Sequence, residues 1–121
     1  MGELLKGKRI LILEDNFIMA LDLSQMIQKL GGTVAGPVGR LGEGLALAQA
    51  GGLAAAILDV NLDRGETSLS LADELLAAHV PVVFATGYNS TALPDRFAGV
   101  PRLSKPFNER SVEEAMRGVI A

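Results

Sequence analysis

Short apolar runs alternate with amphipathic segments along the whole chain, and this alternation predicts its architecture. Five runs have the length and the branched side chains of buried strands, and they cover residues 9–13, 33–38, 54–58, 81–85 and 102–104. The second run contains Gly36 and Pro37, which are typical of an edge strand rather than a central one.

Segments with the period of an α-helix lie between these strands. A first helix begins at Phe17 and ends before Gly31 and Gly32, and its apolar residues fall largely on one face. Those residues are Phe17, Ile18, Leu21, Met26, Ile27 and Leu30. A second, modest helix is predicted over residues 41–50, and Gly51 and Gly52 end it.

A third helix is predicted from about Ser70 to about His79, because Ser70 and Asp73 have the spacing of a capping box. His79 would then lie at the C-terminus of this helix, where the helix dipole favours it. The last segment has the most regular amphipathic pattern, with Asn108 as the N-cap. Its apolar face comprises Val112, Ala115, Met116, Val119 and Ile120.

Strand and helix alternate throughout, so the predicted fold is α/β: a doubly wound, five-stranded parallel sheet with helices on both faces. Ligands of such sheets bind beyond the carboxyl ends of the strands. The residues that follow the first, third, fourth and fifth strands are all polar. They are Glu14, Asp15, Asn16, Asp59, Asn61, Thr86 and Lys105.

This set of side chains predicts phosphoryl chemistry. Asp59 ends an apolar strand, although a carboxylate is costly to bury. Three converging carboxylates, Glu14, Asp15 and Asp59, would repel one another unless a divalent cation compensates them, and oxygen ligands select Mg²⁺ over zinc. A carboxylate nucleophile, Mg²⁺, a hydroxyl donor and a lysine suffice to transfer a phosphoryl group onto aspartate. Asp59 is therefore the expected phosphoacceptor.

Composition narrows the remaining possibilities. The 121 residues, 49% of them hydrophobic, predict one domain over residues 1–121. A net charge of −3 with scattered Lys and Arg argues against a nucleic-acid partner. The chain has no cysteine and a single histidine, which excludes thiol chemistry and argues against a zinc site. Neither a signal peptide nor a membrane span is predicted, so we expect a cytoplasmic protein.

Four short motifs at the expected strand ends resemble the receiver domains of two-component response regulators. They are LILEDN (11–16), ILDVNL (57–62), FATG (84–87) and LSKPF (103–107). The resemblance covers essentially the whole chain, and it implies a flavodoxin-like (βα)5 fold with strand order 2-1-3-4-5. It also implies that Asp59 is phosphorylated, that Asp15 binds Mg²⁺ directly, and that Glu14 binds it through water. The Asn61 carbonyl would be a further ligand.

The resemblance assigns the remaining polar residues as well. Thr86 would donate to a phosphoryl oxygen, Lys105 would pair with the phosphate, and the peptide before Pro106 would often be cis. The donor would be the phosphohistidine of a sensor histidine kinase or a histidine phosphotransfer protein.

One family feature is missing, because Arg102 stands where receivers commonly carry Tyr or Phe, three positions before the lysine. The segment PVVFATGY resembles a subset of single-domain regulators found mainly in alphaproteobacteria. We therefore hypothesise that Tyr88 and residues 87–95 replace the usual aromatic switch, and that Pro94 shortens or breaks the helix of this connection. A second interpretation of Arg102 is an edge-strand charge that blocks aggregation.

Three classes of function stay open. The first is a stand-alone receiver that acts by protein contact or by phosphoryl shuttling. The second is a phosphohydrolase of the haloacid dehalogenase type, which needs an acid two residues after the nucleophile, where this chain has Asn61. The third is a phosphorylation-independent adaptor with the receiver fold. The kinase, the downstream protein, the phosphoaspartate lifetime, the oligomeric state and the presence of an output domain are not determined by the sequence.

Overall fold

Five parallel strands form one sheet in the order β2-β1-β3-β4-β5, as predicted. The computed structural model describes residues 3–87 and 92–120. The strands are β1 (Arg9–Leu13), β2 (Thr33–Val38), β3 (Ala55–Asp59), β4 (Val82–Thr86) and β5 (Arg102–Ser104). The helices are α1 (Phe17–Lys29), α2 (Leu41–Ala50), α3 (Leu69–Ala77) and α4 (Glu109–Val119). Both β3 and β4 end one residue later than expected, so Asp59 and Thr86 are the last residues of their strands.

Helices cover both faces of the sheet. Successive residues of each strand point to opposite sides, so the strands contribute apolar side chains to both faces. On one face, residues such as Leu11 and Leu58 pack with Leu71 and Leu75 of α3. On the other face, residues such as Ile12, Ile57 and Val83 pack with apolar residues of α1 and α4, namely Leu23, Ile27, Val112 and Met116. The predicted doubly wound architecture is confirmed.

The edge strand β2 carries an irregularity that affects the site. Its pairing with β1 shifts between Leu11 and Leu13, where β2 contains one extra residue at Gly36–Pro37. Gly36 has φ +100°, and a Cβ at this position would lie 2.7 Å from the Val38 backbone nitrogen. The bulge brings the Val38 carbonyl to the end of β1, where it accepts a hydrogen bond from the Glu14 N–H at 2.9 Å.

Helix α1 differs from the prediction in its N-terminal half. It contacts the sheet through Ala20, Leu23, Ser24 and Ile27. This buried stripe turns the apolar residues of the first turns towards solvent, and Phe17, Ile18 and Leu21 are 78%, 70% and 47% exposed. The expectation of one common apolar face was therefore wrong for these three residues.

Helix α3 begins one residue earlier than expected, at Leu69, with Ser68 in the N-cap position. The predicted capping box at Ser70 was wrong, because Ser70 lies within the first turn and Asp73 instead forms a two-pronged ion pair with Arg96 at 3.0 Å for each contact. His79 follows the helix end with φ 64°, and its N–H donates to the Leu76 carbonyl at 3.0 Å. Asn108 caps α4 as predicted, since its Oδ1 accepts from the Ser111 N–H at 2.8 Å.

The connection between β4 and β5 contains, among its described residues, no α-helix but a single 3-10 turn at Asp95–Phe97. The turn begins directly after Pro94, in agreement with the expectation that this proline shortens the helix. Phe97 anchors the turn by packing edge-on against Phe84 of β4, with ring centroids 5.2 Å apart. The described residues thus hold four α-helices instead of the five that a (βα)5 repeat implies. None of these helices is long and apolar enough to span a bilayer.

Candidate functional site

Three carboxylates meet at the carboxyl ends of β1 and β3. Glu14 and Asp15 follow β1, Asp59 ends β3, and the pairing of Leu13 with Leu58 sets the two strand ends level. Glu14, Asp15 and Asp59 each offer a carboxylate oxygen, and these oxygens lie within 4.8 Å of one another. Glu14 and Asp59 are only 4% and 6% exposed, so their charges are held in a site with little water.

Lys105 places one ammonium group among these acids. Its Nζ lies 2.9 Å from Glu14 Oε1 and 3.2 Å from Asp59 Oδ2. The Lys105 backbone N–H donates to the Thr86 carbonyl at 2.8 Å, which fixes the residue to the end of β4. The Lys105–Pro106 peptide is cis, as the family resemblance implied.

The site carries more negative than positive charge, and the pKa values reflect this imbalance. Burial, followed by repulsion from Glu14, raises the pKa of Asp59 from 3.8 to about 7, although Lys105 partly offsets both effects. Burial disfavours the charged form of Lys105, but Glu14 and Asp59 outweigh it and raise the pKa of the ammonium above its ordinary value. One lysine therefore does not neutralise the acids.

The contacts of Glu14 fit a cation site. Its Oε2 accepts a hydrogen bond from the Asn16 N–H at 3.0 Å, which fixes the carboxylate. Its Oε1 is buried and, apart from the ion pair with Lys105, accepts no hydrogen bond from the described residues. Together with Asp15 and Asp59, this gives an oxygen-only donor set that could bind a hard divalent cation, as predicted.

The structure brings the other predicted residues to the same edge of the sheet. Thr86 lies one residue beyond the pairing of Asp59 with Ala85 and pairs with Ser104. Asn61 follows Asp59 by two residues and pairs with Thr67 in an isolated antiparallel bridge. These backbone positions agree with the expected site, and the roles assigned to Thr86 and Asn61 stay predictions.

Two further candidates concern the switch. Tyr88 lies outside the described residues, and its role stays a prediction. Arg102 is exposed on β5, which is an edge strand of the sheet. This position agrees with the interpretation of Arg102 as an edge charge, and it offers no aromatic ring next to Lys105.

Sequence reasoning missed one residue near the site, Glu66, which follows Asp59 by seven residues. Its carboxylate contacts the N-terminus of α2, with Oε1 3.4 Å from the Leu41 backbone nitrogen. Glu66 belongs to no recognised motif and its partner lies 25 residues away, so no local pattern could have revealed the contact.

Relatives with known structures share this fold. SdrG from Sphingomonas melonis Fr1 is 35% identical, with a TM-score of 0.82 over 96% of this chain and 97% of that one. The response regulator PhyR from Brucella abortus is 26% identical, with a TM-score of 0.77 over 97% of this chain and 49% of that one. The chain belongs to the response regulator receiver-domain family.

This receiver domain also matches a curated relative of greater length. The phyllosphere-induced regulator PhyR of Methylorubrum extorquens is 32% identical in an alignment 111 residues long, which covers 85% of this chain and 40% of that protein. The BeF3-activated conformation of SdrG from Pseudomonas melonis Fr1 is 38% identical, with a TM-score of 0.80 over 96% of this chain and 98% of that one. No protein-family model matches the chain. The assignment of this chain to the subset of single-domain regulators that its PVVFATGY segment resembles stays a prediction.

Proposed function

We propose that this receiver domain accepts a phosphoryl group on Asp59 in a two-component phosphorelay. The donor is the phosphohistidine of a sensor histidine kinase or of a histidine phosphotransfer protein, and the product signals by protein contact or passes the phosphoryl group on. The observation that carries this proposal is the ion pair of Lys105 Nζ with Asp59 Oδ2 at 3.2 Å, inside a cluster of three carboxylates.

The reaction is an exchange of one bond to phosphorus for another. The Asp59 carboxylate forms an O–P bond while the N–P bond of the donor breaks, and the electron pair of that bond stays on the imidazole nitrogen, which takes up a proton. The Lys105 ammonium already lies beside the nucleophile and would pair with the incoming phosphoryl oxygens. The Thr86 hydroxyl, at the end of the neighbouring strand, would donate to another of these oxygens.

The acid cluster supports a requirement for Mg²⁺, with Asp15 and Asp59 as direct ligands, Glu14 as a ligand through water and the Asn61 carbonyl as a further ligand. When bound, Mg²⁺ supplies the positive charge that neutralises the carboxylates and the phosphoryl oxygens. The pKa of about 7 for Asp59 supports this requirement, because without added positive charge only part of the nucleophile is ionised at neutral pH.

The surface next to the site supports a protein as the phosphoryl donor. The exposed side chains of Phe17, Ile18 and Leu21 begin two residues after Asp15 and form an apolar rim at the start of α1. A small-molecule donor would not need such a rim, whereas a protein donor would bury it on docking. The existence of a BeF3-activated conformation of SdrG supports a phosphoryl-dependent change of state in this chain as well.

The alternative of a phosphorylation-independent adaptor is favoured by one observation, the exposed Arg102 at the usual switch position. The phosphohydrolase alternative is disfavoured, because Asn61 cannot act as the acid that protonates a leaving group. Phosphorylation of Asp59 separates the first proposal from the adaptor.

The test is the intact mass of the protein after incubation with acetyl phosphate and Mg²⁺, compared for the wild type, Asp59→Asn and Asp63→Asn. Asp63 is an exposed acid in the same loop and serves as the matched control. We expect one phosphoryl adduct that requires Mg²⁺, persists in Asp63→Asn and disappears in Asp59→Asn. An adduct that survives in Asp59→Asn would contradict the assignment. A wild type that neither forms the adduct, from acetyl phosphate or from a phosphorylated donor protein, nor binds BeF3⁻ would favour the adaptor.

A further inference from the structure

The segment between β3 and α3, residues 60–68, is closed by backbone contacts, and we call it the β3–α3 loop. The Ser68 N–H donates to the Val60 carbonyl at 3.0 Å, and the Leu62 N–H donates to the Glu66 carbonyl at 2.8 Å. Asn61 and Thr67 pair between these two hydrogen bonds. The loop starts directly after Asp59, so its position relative to β1 affects where the Asn61 backbone lies.

Glu66 ties this loop to a different element. Its Oε1 accepts a hydrogen bond from the Leu41 N–H at 3.4 Å and lies 3.6 Å from Arg40 Nε. Leu41 is the first residue of α2, and its N–H has no partner within the helix. A carboxylate at a helix N-terminus is also favoured by the helix dipole. Glu66 therefore connects the β3–α3 loop to the N-terminus of α2.

The start of α2 is itself held next to the acid cluster. A Cβ at Gly39, two residues before α2, would lie only 3.4 Å from Asp15 Cα. The Glu14 N–H donates to the Val38 carbonyl in the same segment. The contacts thus run from the β3–α3 loop through Glu66 to the N-terminus of α2, and from there to the backbone of Glu14 and Asp15.

We propose that Glu66 is a positioning residue for the metal site, which holds the Asn61 carbonyl at a fixed place relative to Asp15 and Asp59. This inference rests on the proposed function, in which that carbonyl binds Mg²⁺. Without Glu66, the β3–α3 loop would lose its side-chain contact with the N-terminus of α2, and ordering the loop would oppose metal binding. Residues that orient metal ligands typically change metal affinity by roughly 10–100-fold when they are removed.

The experiment compares Mg²⁺ affinity, measured by calorimetric titration, in the wild type and in Glu66→Ala, Glu66→Gln and Glu43→Gln. Glu66→Gln removes the charge but keeps an oxygen that can accept from the Leu41 N–H. Glu43→Gln removes a carboxylate from the first turn of α2 without a contact to the loop, and serves as the control for charge alone. We expect about tenfold weaker binding in Glu66→Ala and changes of less than about threefold in the two glutamine variants.

A second readout does not involve the metal. In the metal-free protein, the amide hydrogens of Leu62 and Ser68 should exchange faster in Glu66→Ala than in Glu66→Gln, while amides of β1 stay protected.

Three results would overturn the inference. Equal losses of affinity in Glu66→Ala and Glu66→Gln would show that Glu66 acts through its charge. Wild-type affinity in Glu66→Ala would refute the positioning role while leaving the proposed function intact. A wild type that binds no Mg²⁺ would instead refute the metal site itself, and with it this inference.

Discussion

The substitution Asp59→Asn should stabilise the metal-free protein at neutral and alkaline pH. The asparagine side chain would keep the size of the aspartate and an acceptor for Lys105, but it would remove a charge that burial and Glu14 both disfavour. The expected gain is an increase in the free energy of unfolding relative to the wild type.

The size of the gain follows from the pKa of Asp59, which is 3.8 in an unperturbed environment and about 7 in the folded protein. The difference is about 3 pKa units, and each unit corresponds to about 1.4 kcal/mol. Because the folded-state pKa is raised, the native state is favoured below pH 3.8 and loses this advantage as the pH rises to about 7. Above pH 7 the ionised Asp59 costs on the order of 4 kcal/mol, which the Asn variant avoids.

The assay is urea unfolding followed by far-UV circular dichroism, with EDTA present, between about pH 3 and about pH 8.5, a range that brackets both pKa values. The free energies of unfolding of the wild type and Asp59→Asn should be nearly equal at the acidic end of the range. Their difference should grow as the pH rises to about 7. Asp22→Asn, which removes an exposed carboxylate of α1, is the control and should show no such divergence. A stability difference that does not change with pH, or a less stable Asp59→Asn at the alkaline end, would refute the reasoning.

Four substitutions away from the acids test packing and backbone conformation, each by the same unfolding assay. Gly44→Ala should destabilise the protein by about 1–2 kcal/mol, because the new Cβ would lie 2.7 Å from Cδ2 of the buried Leu71. Gly42→Ala in the same helix should stabilise it by about 0.5–1 kcal/mol, because a Cβ there meets no described atom within 4 Å. Equal effects of the two substitutions would refute the close approach of Gly44 to Leu71. Ser68→Ala should stabilise by about 1 kcal/mol, because the buried hydroxyl has no hydrogen-bond partner among the described residues, and a loss of stability would reveal one. His79→Gly should stabilise by about 0.5–1 kcal/mol, because His79 has φ 64°, and a loss would mean that its side chain contributes more than its backbone costs.

The sequence predicts the acid cluster well because a parallel sheet converts chain order into spatial proximity. Glu14, Asp59 and Lys105 lie far apart in the chain, but each follows or ends a strand, and the carboxyl ends of parallel strands share one edge. Once the strands are recognised from their apolar runs, their positions are enough to predict that these residues lie close together. The same argument explains why Thr86 was expected there.

The sequence does not predict which face of a helix is buried when apolar residues surround it. In α1, the small residues Ala20 and Ser24 pack against the sheet, whereas the large Phe17 and Ile18 point to solvent. Hydrophobicity ranks these residues in the opposite order. The space available at the sheet decides which face of the helix is buried, and only the tertiary structure defines that space.

The prediction of where a helix starts fails for a related reason when two residues could serve as the N-cap. Ser68 and Ser70 are both serines near the start of α3, and the spacing to Asp73 favours Ser70. The structure selects Ser68, whose N–H closes the β3–α3 loop on the Val60 carbonyl, and uses Asp73 to hold Arg96. Contacts across the chain thus override a local capping pattern.

The charge imbalance at the site connects stability with the proposed function. The buried carboxylates that lower the stability of the metal-free protein at neutral pH are the same groups that would bind a divalent cation. A ligand that binds only the folded state adds stability in proportion to the logarithm of its concentration over its dissociation constant. Mg²⁺ should therefore stabilise the wild type more than Asp59→Asn, and more at about pH 8 than at about pH 5, where Asp59 is largely protonated. If Mg²⁺ stabilised both proteins equally at both pH values, the cation would bind elsewhere, and the acid cluster would need another explanation.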